Sequence, residues 1–168
     1  VLHISRSSVP GGLANWIQYN KSDPLAPLAS TIEARERTGA GGEIIQPLDE
    51  DQLLEDLNYL ANQGIQALAG CLLNAFANPD HERQVARLAA KVMPDIPVLL
   101  SSELQPRAQE YERCLYTAAS AYCLPAVNNY LDRIQEILKG DLGNAKLRLL
   151  RTDGGVAAER SIRNRPLS

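Results

Sequence analysis

Three polar clusters in the sequence contain side chains that could take part in chemistry. The first is Asn78-Pro79-Asp80-His81-Glu82, where Asn78 and Pro79 are typical of a helix start. The two carboxylates suit the positive end of the helix dipole. His81 is then either a surface residue of the first turn, or a proton carrier or metal ligand beside a cleft. A single histidine does not decide between these interpretations.

The second cluster is Gln109-Glu110-Tyr111-Glu112-Arg113. Glu110 and Arg113 stand three residues apart, which is the spacing of a local ion pair on a solvated helix face. Alternatively, Arg113 anchors a loop or a neighbouring domain through two hydrogen bonds of its guanidinium group. Both interpretations stay open at the level of the sequence.

The third cluster is Asp153-Gly154-Gly155, which directly follows a predicted strand. Paired glycines permit positive φ angles, and the amides of such a turn can bind a phosphate group. A tight turn without a ligand is the alternative. The sequence contains neither a P-loop nor a dinucleotide-binding fingerprint. Its two histidines, His3 and His81, are too few for a closed structural zinc site, so we predict no metal held by protein ligands.

Local signals predict the elements that position these clusters. In chain order they are a hairpin of Thr31–Arg37 and Glu43–Gln46 around Gly39–Gly42, a helix from the cap Asp49 to Gly64, a strand Ile65–Leu73, a helix from Asn78 to Pro94, a strand Ile96–Ser101, a helix from Pro106 to Lys139 with an expected kink or break at Pro125, and a strand Lys146–Leu150.

This alternation predicts an α/β fold with a mostly parallel sheet, flanking helices and an N-terminal β-hairpin. The first cluster would then lie at the carboxyl end of a parallel strand, where open α/β sheets bind ligands. Residues 1–29 are expected to form an irregular segment, and residues 30–168 an α/β domain. The abrupt ends suggest a piece of a larger protein.

Composition excludes some classes of partner. The net charge is -3, and the only basic cluster is thin, which argues against nucleic acid as the partner. No apolar run approaches the roughly 20 residues that span a bilayer. The three cysteines show no C-x-x-C spacing, and Cys71 is expected to be a reduced core thiol. Reduced thiols indicate the cytoplasm.

The order of the clusters resembles the hydantoinase A/oxoprolinase family of ATP-dependent subunits. The matching segments are Glu36-Arg37, Gly42-Glu43, Pro47-Leu48-Asp49, Asn78–Glu82, Leu100–Glu103, Tyr111–Arg113 with Thr117, Ala121, Tyr122 and Pro125, and Thr152–Gly155. Residues 30–168 match well and residues 1–29 match poorly. Gln109 replaces an Arg and Thr152 a Ser of the family pattern, and the family's Asp-x-Gly-Gly-Thr phosphate motif does not occur.

The resemblance implies that the chain is the middle of an actin/acetate-kinase-like ATPase core that uses ATP and Mg²⁺. It implies that Asp153, Gly154 and Gly155 lie near the nucleotide, with His81 and Arg113 as catalytic candidates. The implied reaction is hydrolysis of a cyclic amide, a hydantoin or 5-oxoproline, through phosphorylation of the amide oxygen. A hydantoinase B-like partner subunit and an oligomeric assembly are also implied, and the chain alone should be inactive. The alternatives are a ketone carboxylase subunit and a non-catalytic scaffold or subunit-docking domain.

Overall fold

The computed structural model describes residues 24–142, 147–151 and 154–167. Within these ranges the chain forms helices and three two-stranded sheets. The strands are Arg37–Thr38 (β1), Ile44–Gln46 (β2), Leu68–Gly70 (β3), Val98–Leu100 (β4), Arg148–Leu150 (β5) and Val156–Ala158 (β6). The helices are Glu50–Asn62 (α1), Asp80–Val92 (α2), Ser101–Leu104 (α3), Glu110–Leu142 (α4) and Glu159–Asn164 (α5), with a short 3₁₀ turn at Leu28–Ser30.

The parallel pair β3–β4 has a helical layer on each face. Leu68 pairs with Val98, and both contact the larger apolar core, which lies under α1 and α2. Leu99 belongs to the second core, which lies under α4. The buried members of the first core are Leu48, Leu53, Leu57, Val85, Leu88, Ala89 and Met93, and those of the second are Leu99, Ala121 and Leu124. The strands are therefore covered on both faces, as an unbroken apolar run predicts.

Capping groups fix where the helices around this pair begin and end. Oδ1 of Asp49 accepts a hydrogen bond from the Gln52 amide at 3.1 Å, so α1 starts where the capping pattern predicts. Gly64 follows α1 with a φ of 69°, the left-handed conformation that ends helices. The amide of Asp80, the first residue of α2, donates to Oδ1 of Asn78 at 3.0 Å. Asn78 therefore caps α2, although it lies one position before the N-cap residue Pro79.

The predicted mostly parallel sheet is only partly correct for the described residues. The predicted hairpin exists as β1 and β2, although β1 is shorter than the predicted extended run. The last predicted strand, β5, pairs antiparallel with β6 and forms a separate hairpin instead of extending the sheet of β3 and β4. The long helix α4 begins at Glu110, not at Pro106, and it continues through Pro125 as one element.

The last helix is held against α4 by the guanidinium group of Arg163. Its Nη2 lies 2.7 Å from Asp132, and its Nε donates to Glu159 at 2.6 Å. Burial opposes the charge, but the bonds to Glu159 and Asp132 outweigh it and raise the pKa of Arg163. Among the helices of the described ranges, none combines the length and apolar character needed to cross a bilayer.

Candidate functional site

Glu82 is a fully buried carboxylate at the carboxyl ends of the two parallel strands. Its Oε1 accepts hydrogen bonds from the Leu72 amide at 2.9 Å and from Oγ of Ser101 at 2.5 Å. Its Oε2 accepts from the Ser102 amide at 2.8 Å. Three donors therefore compensate the buried charge, and one side chain of α2 ties the residues that follow β3 to those that follow β4.

Arg113 reaches the same loop from α4. The residue is 1% exposed, and its Nη2 donates to the carbonyl oxygen of Leu72 at 2.6 Å. Its Nη1 donates to the carbonyl oxygen of Arg107 at 3.0 Å, and the guanidinium lies 5.7 Å from the centre of the Phe76 ring. Of the two interpretations of Arg113, the structure favours the loop anchor over the solvated ion pair.

His81 is buried, not a surface residue of the first helical turn. Its ring is 3% exposed, and Nδ1 lies 2.7 Å from Oε2 of Glu36, whose side chain is 5% exposed. Because the carboxylate can only accept, Nδ1 carries the shared proton. The hydroxyl of Thr38 donates to Glu36 at 3.2 Å and lies 3.3 Å from Nδ1. These three residues form a buried polar cluster between the β1–β2 hairpin and α2.

Two asparagines pack the loop after β3 against the same hairpin. Nδ2 of Asn74 donates to the Thr38 carbonyl at 2.9 Å, and Nδ2 of Asn78 donates to the Gly42 carbonyl at 2.8 Å. Gly42 has a φ of 89°, and a Cβ built there would lie 3.2 Å from the Ala77 carbonyl oxygen. Only glycine suits both the backbone angle and the close approach.

The glycine turn after β5 is the third predicted cluster. Gly154 has a φ of 83°, and its amide donates to the Arg151 carbonyl at 3.0 Å. The Arg151 amide donates to the Gly155 carbonyl at 2.8 Å, so these hydrogen bonds stay within the β5–β6 turn. Asp153 lies outside the described residues. A Cβ at Gly154 would meet no atom within 4 Å, so the backbone is open to close approach there.

The structure thus brings Glu82 and Arg113 together at Leu72, after β3. His81, which precedes Glu82 on α2, contacts Glu36 and Thr38 at the hairpin instead. In the sequence, Glu82 suited the helix dipole, and Glu36 and Glu82 both lie in segments that resemble the family, but no buried polar contact was predicted for either. The signal for a buried polar role of Glu82 was its place in the first turn of a helix that follows a buried strand. In the described part of the chain, no group of three or more His, Cys, Asp or Glu side chains could hold a metal ion.

Comparisons with known proteins agree on one family. The family model described as hydantoinase/oxoprolinase N-terminal region matches residues 3–93. The match includes most of residues 1–29, where the resemblance by motifs was poor. The 5-oxoprolinase 1 of Arabidopsis thaliana is 33% identical over 124 residues, which are 72% of this chain and 10% of that protein. The caprolactamase subunit alpha of Pseudomonas jessenii is 28% identical over 156 residues, which are 89% of this chain and 22% of that protein.

Solved structures share the fold. A nucleotide-free acetone carboxylase superposes with a TM-score of 0.75 at 24% identity, over 89% of this chain and 22% of that one. The ATP-dependent caprolactamase of Pseudomonas jessenii superposes with a TM-score of 0.70 at 28% identity, over 75% of this chain and 18% of that one. This chain therefore spans about a fifth or less of the length of these relatives. It belongs to the hydantoinase/oxoprolinase family.

Proposed function

We propose that this chain is part of an ATP-dependent enzyme subunit that hydrolyses a cyclic amide, of the hydantoin or 5-oxoproline kind, by phosphorylating the amide oxygen. The observation that carries the proposal is the family match over residues 3–93, together with relatives named 5-oxoprolinase and caprolactamase. Phosphorylation of the amide oxygen makes the carbonyl carbon more electrophilic, so that water adds to it, the C–N bond breaks with the ring nitrogen leaving as an amine, and a second water hydrolyses the resulting acyl phosphate to the carboxylate and phosphate. The parent would contain an actin/acetate-kinase-like core and act in the cytoplasm.

His81 and Arg113 act in this proposal as positioning residues and do not touch the substrate. Both side chains are almost fully buried, at 3% and 1% exposure, and both bond to other parts of this chain. Arg113 and Glu82 fix the residues that follow β3 and β4, and His81 ties α2 to Glu36 beside β1. A ligand at this edge would contact the backbone of the residues after β3 and β4, which Glu82 and Arg113 hold in place.

The nucleotide would lie near Asp153, Gly154 and Gly155 in the complete parent. The open backbone at Gly154 fits the close approach of a phosphate. Its amide, however, already donates within the turn, so this segment supplies only part of a nucleotide site. ATP would supply the phosphoryl group and Mg²⁺ would offset its charge, with further ligands from the rest of the parent.

The test is turnover by the complete polypeptide that contains this chain, assayed with its hydantoinase B-like partner subunit. ADP release and ring opening are measured together with hydantoin, 5-oxoproline and caprolactam as substrates. Release of one ADP per opened ring supports the proposal. If no cyclic amide stimulates ADP release above the rate without substrate, the proposed reaction is wrong.

A ketone carboxylase subunit is the second candidate, supported by the fold shared with acetone carboxylase. The two candidates differ in the fate of bicarbonate. A carboxylase fixes labelled bicarbonate into an acid when acetone or acetophenone is present, whereas the amidohydrolase does not. A third possibility is a scaffold or docking domain that binds the partner subunit. In that case, substitutions of its buried polar residues would leave ADP release unchanged.

A further inference from the structure

The long helix α4 is apolar on two opposite faces. Leu124 and Leu131 are buried on the face that packs against the rest of the described chain. The outward face carries an exposed alanine and four large apolar side chains that are between 39% and 70% exposed. We call these five residues the outer stripe: Leu115, Tyr122, Ala126, Tyr130 and Ile137. A helix that is apolar all round is normally buried, so the outer stripe is expected to bind a partner that the described part of the chain does not supply.

The outer stripe is symmetric about Ala126. Tyr122 and Tyr130 lie four residues before and after it, and Leu115 and Ile137 lie eleven residues before and after it. At about 100° per residue, the four large side chains project within about 40° of Ala126, along about 33 Å of the helix. The stripe therefore presents the same kinds of side chain in the same order when α4 is followed in either direction.

We propose that a second copy of this chain docks on the outer stripe, with the two α4 helices antiparallel and crossing at Ala126. Tyr122 then faces Tyr130 of the second copy, Leu115 faces Ile137 of the second copy, and the two alanines meet where the helices are closest. A two-fold axis pairs each residue with its counterpart in reverse order, so the symmetry of the stripe places aromatic against aromatic and aliphatic against aliphatic. The proposal concerns assembly and is independent of the reaction assigned to the parent enzyme.

The apolar area of the outer stripe suits a dimer of modest affinity. From their exposed fractions, the four large side chains would bury roughly 500 Å² per copy, or about 1,000 Å² in the pair. That total is near the lower limit for a specific interface between proteins. We therefore expect a dissociation constant in the micromolar range.

The charges on the outward face do not oppose this pairing. Glu112 and Arg133 are exposed in the same arc of α4, and Glu112 lies beyond the N-terminal end of the stripe. Arg133 lies seven residues after the crossing point, so the two copies of Arg133 would be about 21 Å apart along the helices and screened from each other. Each would lie opposite Ala119 of the second copy, about one helical turn from Tyr122, whose ring face attracts a guanidinium group.

The test is analytical ultracentrifugation of the 168-residue chain, from about 1 to about 200 µM. The expected result is a mass that rises from 18.4 kDa towards twice that value. Tyr122→Glu should raise the dissociation constant at least about tenfold, because association would bury an unpaired charge against Tyr130 of the second copy. Tyr59→Glu is the matched control, since Tyr59 is exposed on α1 and lies outside the stripe, and it should leave the constant unchanged.

Circular dichroism checks that each variant is folded. A chain that stays at 18.4 kDa over the whole range, as it would if a different protein segment covered the stripe, overturns the proposal. A dimer that forms equally well in folded Tyr122→Glu also overturns it.

Paired charge substitutions test the antiparallel arrangement. Tyr130→Lys alone should weaken the dimer, as Tyr122→Glu does. The double variant should associate at least about tenfold more tightly than either single variant, because each new glutamate faces the new lysine of the second copy. In a parallel pair, glutamate would face glutamate and lysine would face lysine, and the double variant would associate more weakly than either single one. That result, or a double variant with no recovery, contradicts the crossing at Ala126.

Discussion

Glu82 and Arg113 form hydrogen bonds to the two backbone polar groups of the same residue, Leu72. The Leu72 amide donates to Oε1 of Glu82 at 2.9 Å, and the Leu72 carbonyl accepts from Nη2 of Arg113 at 2.6 Å. The two side chains come from different helices, α2 and α4, and both are buried. A single peptide segment after β3 is therefore fixed by one buried anion and one buried cation, which approach it from two layers of the fold.

Glu82→Gln is expected to destabilise the chain by roughly 2–4 kcal/mol. The carboxylate accepts from three donors, whereas one end of a glutamine is itself a donor and would face an amide or hydroxyl hydrogen. Urea unfolding followed by circular dichroism measures the effect. Glu55→Gln is the matched control, since Glu55 is exposed on α1 and should change the unfolding free energy by less than about 0.5 kcal/mol. Equal midpoints for the two variants would contradict the role of Glu82.

Arg113→Lys is expected to cost about 1.5–3 kcal/mol, although the charge is kept. Lysine has one compact ammonium group and cannot bond both the Leu72 and Arg107 carbonyls or stack on Phe76. The same unfolding measurement applies. Arg87→Lys is the control, because Arg87 is exposed on α2. The anchor interpretation fails if both substitutions leave the midpoint unchanged.

The contrast between local and distant contacts explains which features the sequence could predict. The Asp49 cap, the glycine after α1 and the β1–β2 hairpin depend on residues within a few positions of each other, and the predictions were confirmed. The contacts of Arg113 with Leu72 and of His81 with Glu36 join residues 41 and 45 positions apart. No local pattern encodes such pairs, because they form only after the helices pack on the sheet.

The sequence contains a turn signal for the β5–β6 hairpin, but the sequence-based prediction interpreted it differently. Asp153-Gly154 is a strong hairpin-turn sequence, and a short apolar run, Val156–Ala158, follows it. From the sequence, the glycines were open to two interpretations, phosphate binding or a tight turn without a ligand, and the preceding strand was predicted to join the parallel sheet. Alternation of helices and strands favours parallel pairing only when a crossover separates two strands, and here the turn is too short for one.

His81 and Glu36 should be energetically coupled by about 1–3 kcal/mol in a double-mutant cycle. Their contact of 2.7 Å is buried, so removing either partner leaves a buried polar group with only the Thr38 hydroxyl as partner in this cluster. The cycle uses Glu36→Ala, His81→Ala and the double variant, each followed by urea unfolding.

The surface pair Arg83–Asp80 is the matched control for that cycle. Its atoms lie 3.5 Å apart, and the side chains are 57% and 58% exposed, so solvent screens the interaction. Its coupling should be no more than about 0.5 kcal/mol. Comparable coupling in the two cycles would show that burial of the His81–Glu36 pair has no energetic importance.

Gly42→Ala should destabilise the chain more than Gly64→Ala. Comparing the two variants separates two costs of replacing glycine, the backbone strain and the steric contact of the new Cβ. Both residues have positive φ angles, 89° and 69°, so both substitutions pay roughly 1 kcal/mol for backbone strain. Only at Gly42 does the new Cβ also meet the Ala77 carbonyl oxygen, at 3.2 Å. The expected difference is about 1 kcal/mol or more in the free energy of unfolding. Equal losses would mean that the hairpin moves away from the Ala77 carbonyl without cost.

The 168-residue chain is expected to show no measurable binding of Mg²⁺-ATP by calorimetry. The Gly154 amide is already engaged within its turn, and neither the Asp-x-Gly-Gly-Thr motif nor a P-loop occurs in the sequence. One glycine turn presents too few free donors to hold a triphosphate against its hydration. The complete parent polypeptide should bind Mg²⁺-ATP under the same conditions. Micromolar binding by the chain alone would show that the nucleotide site lies within these residues, and Gly154→Ala would then test whether the turn contributes.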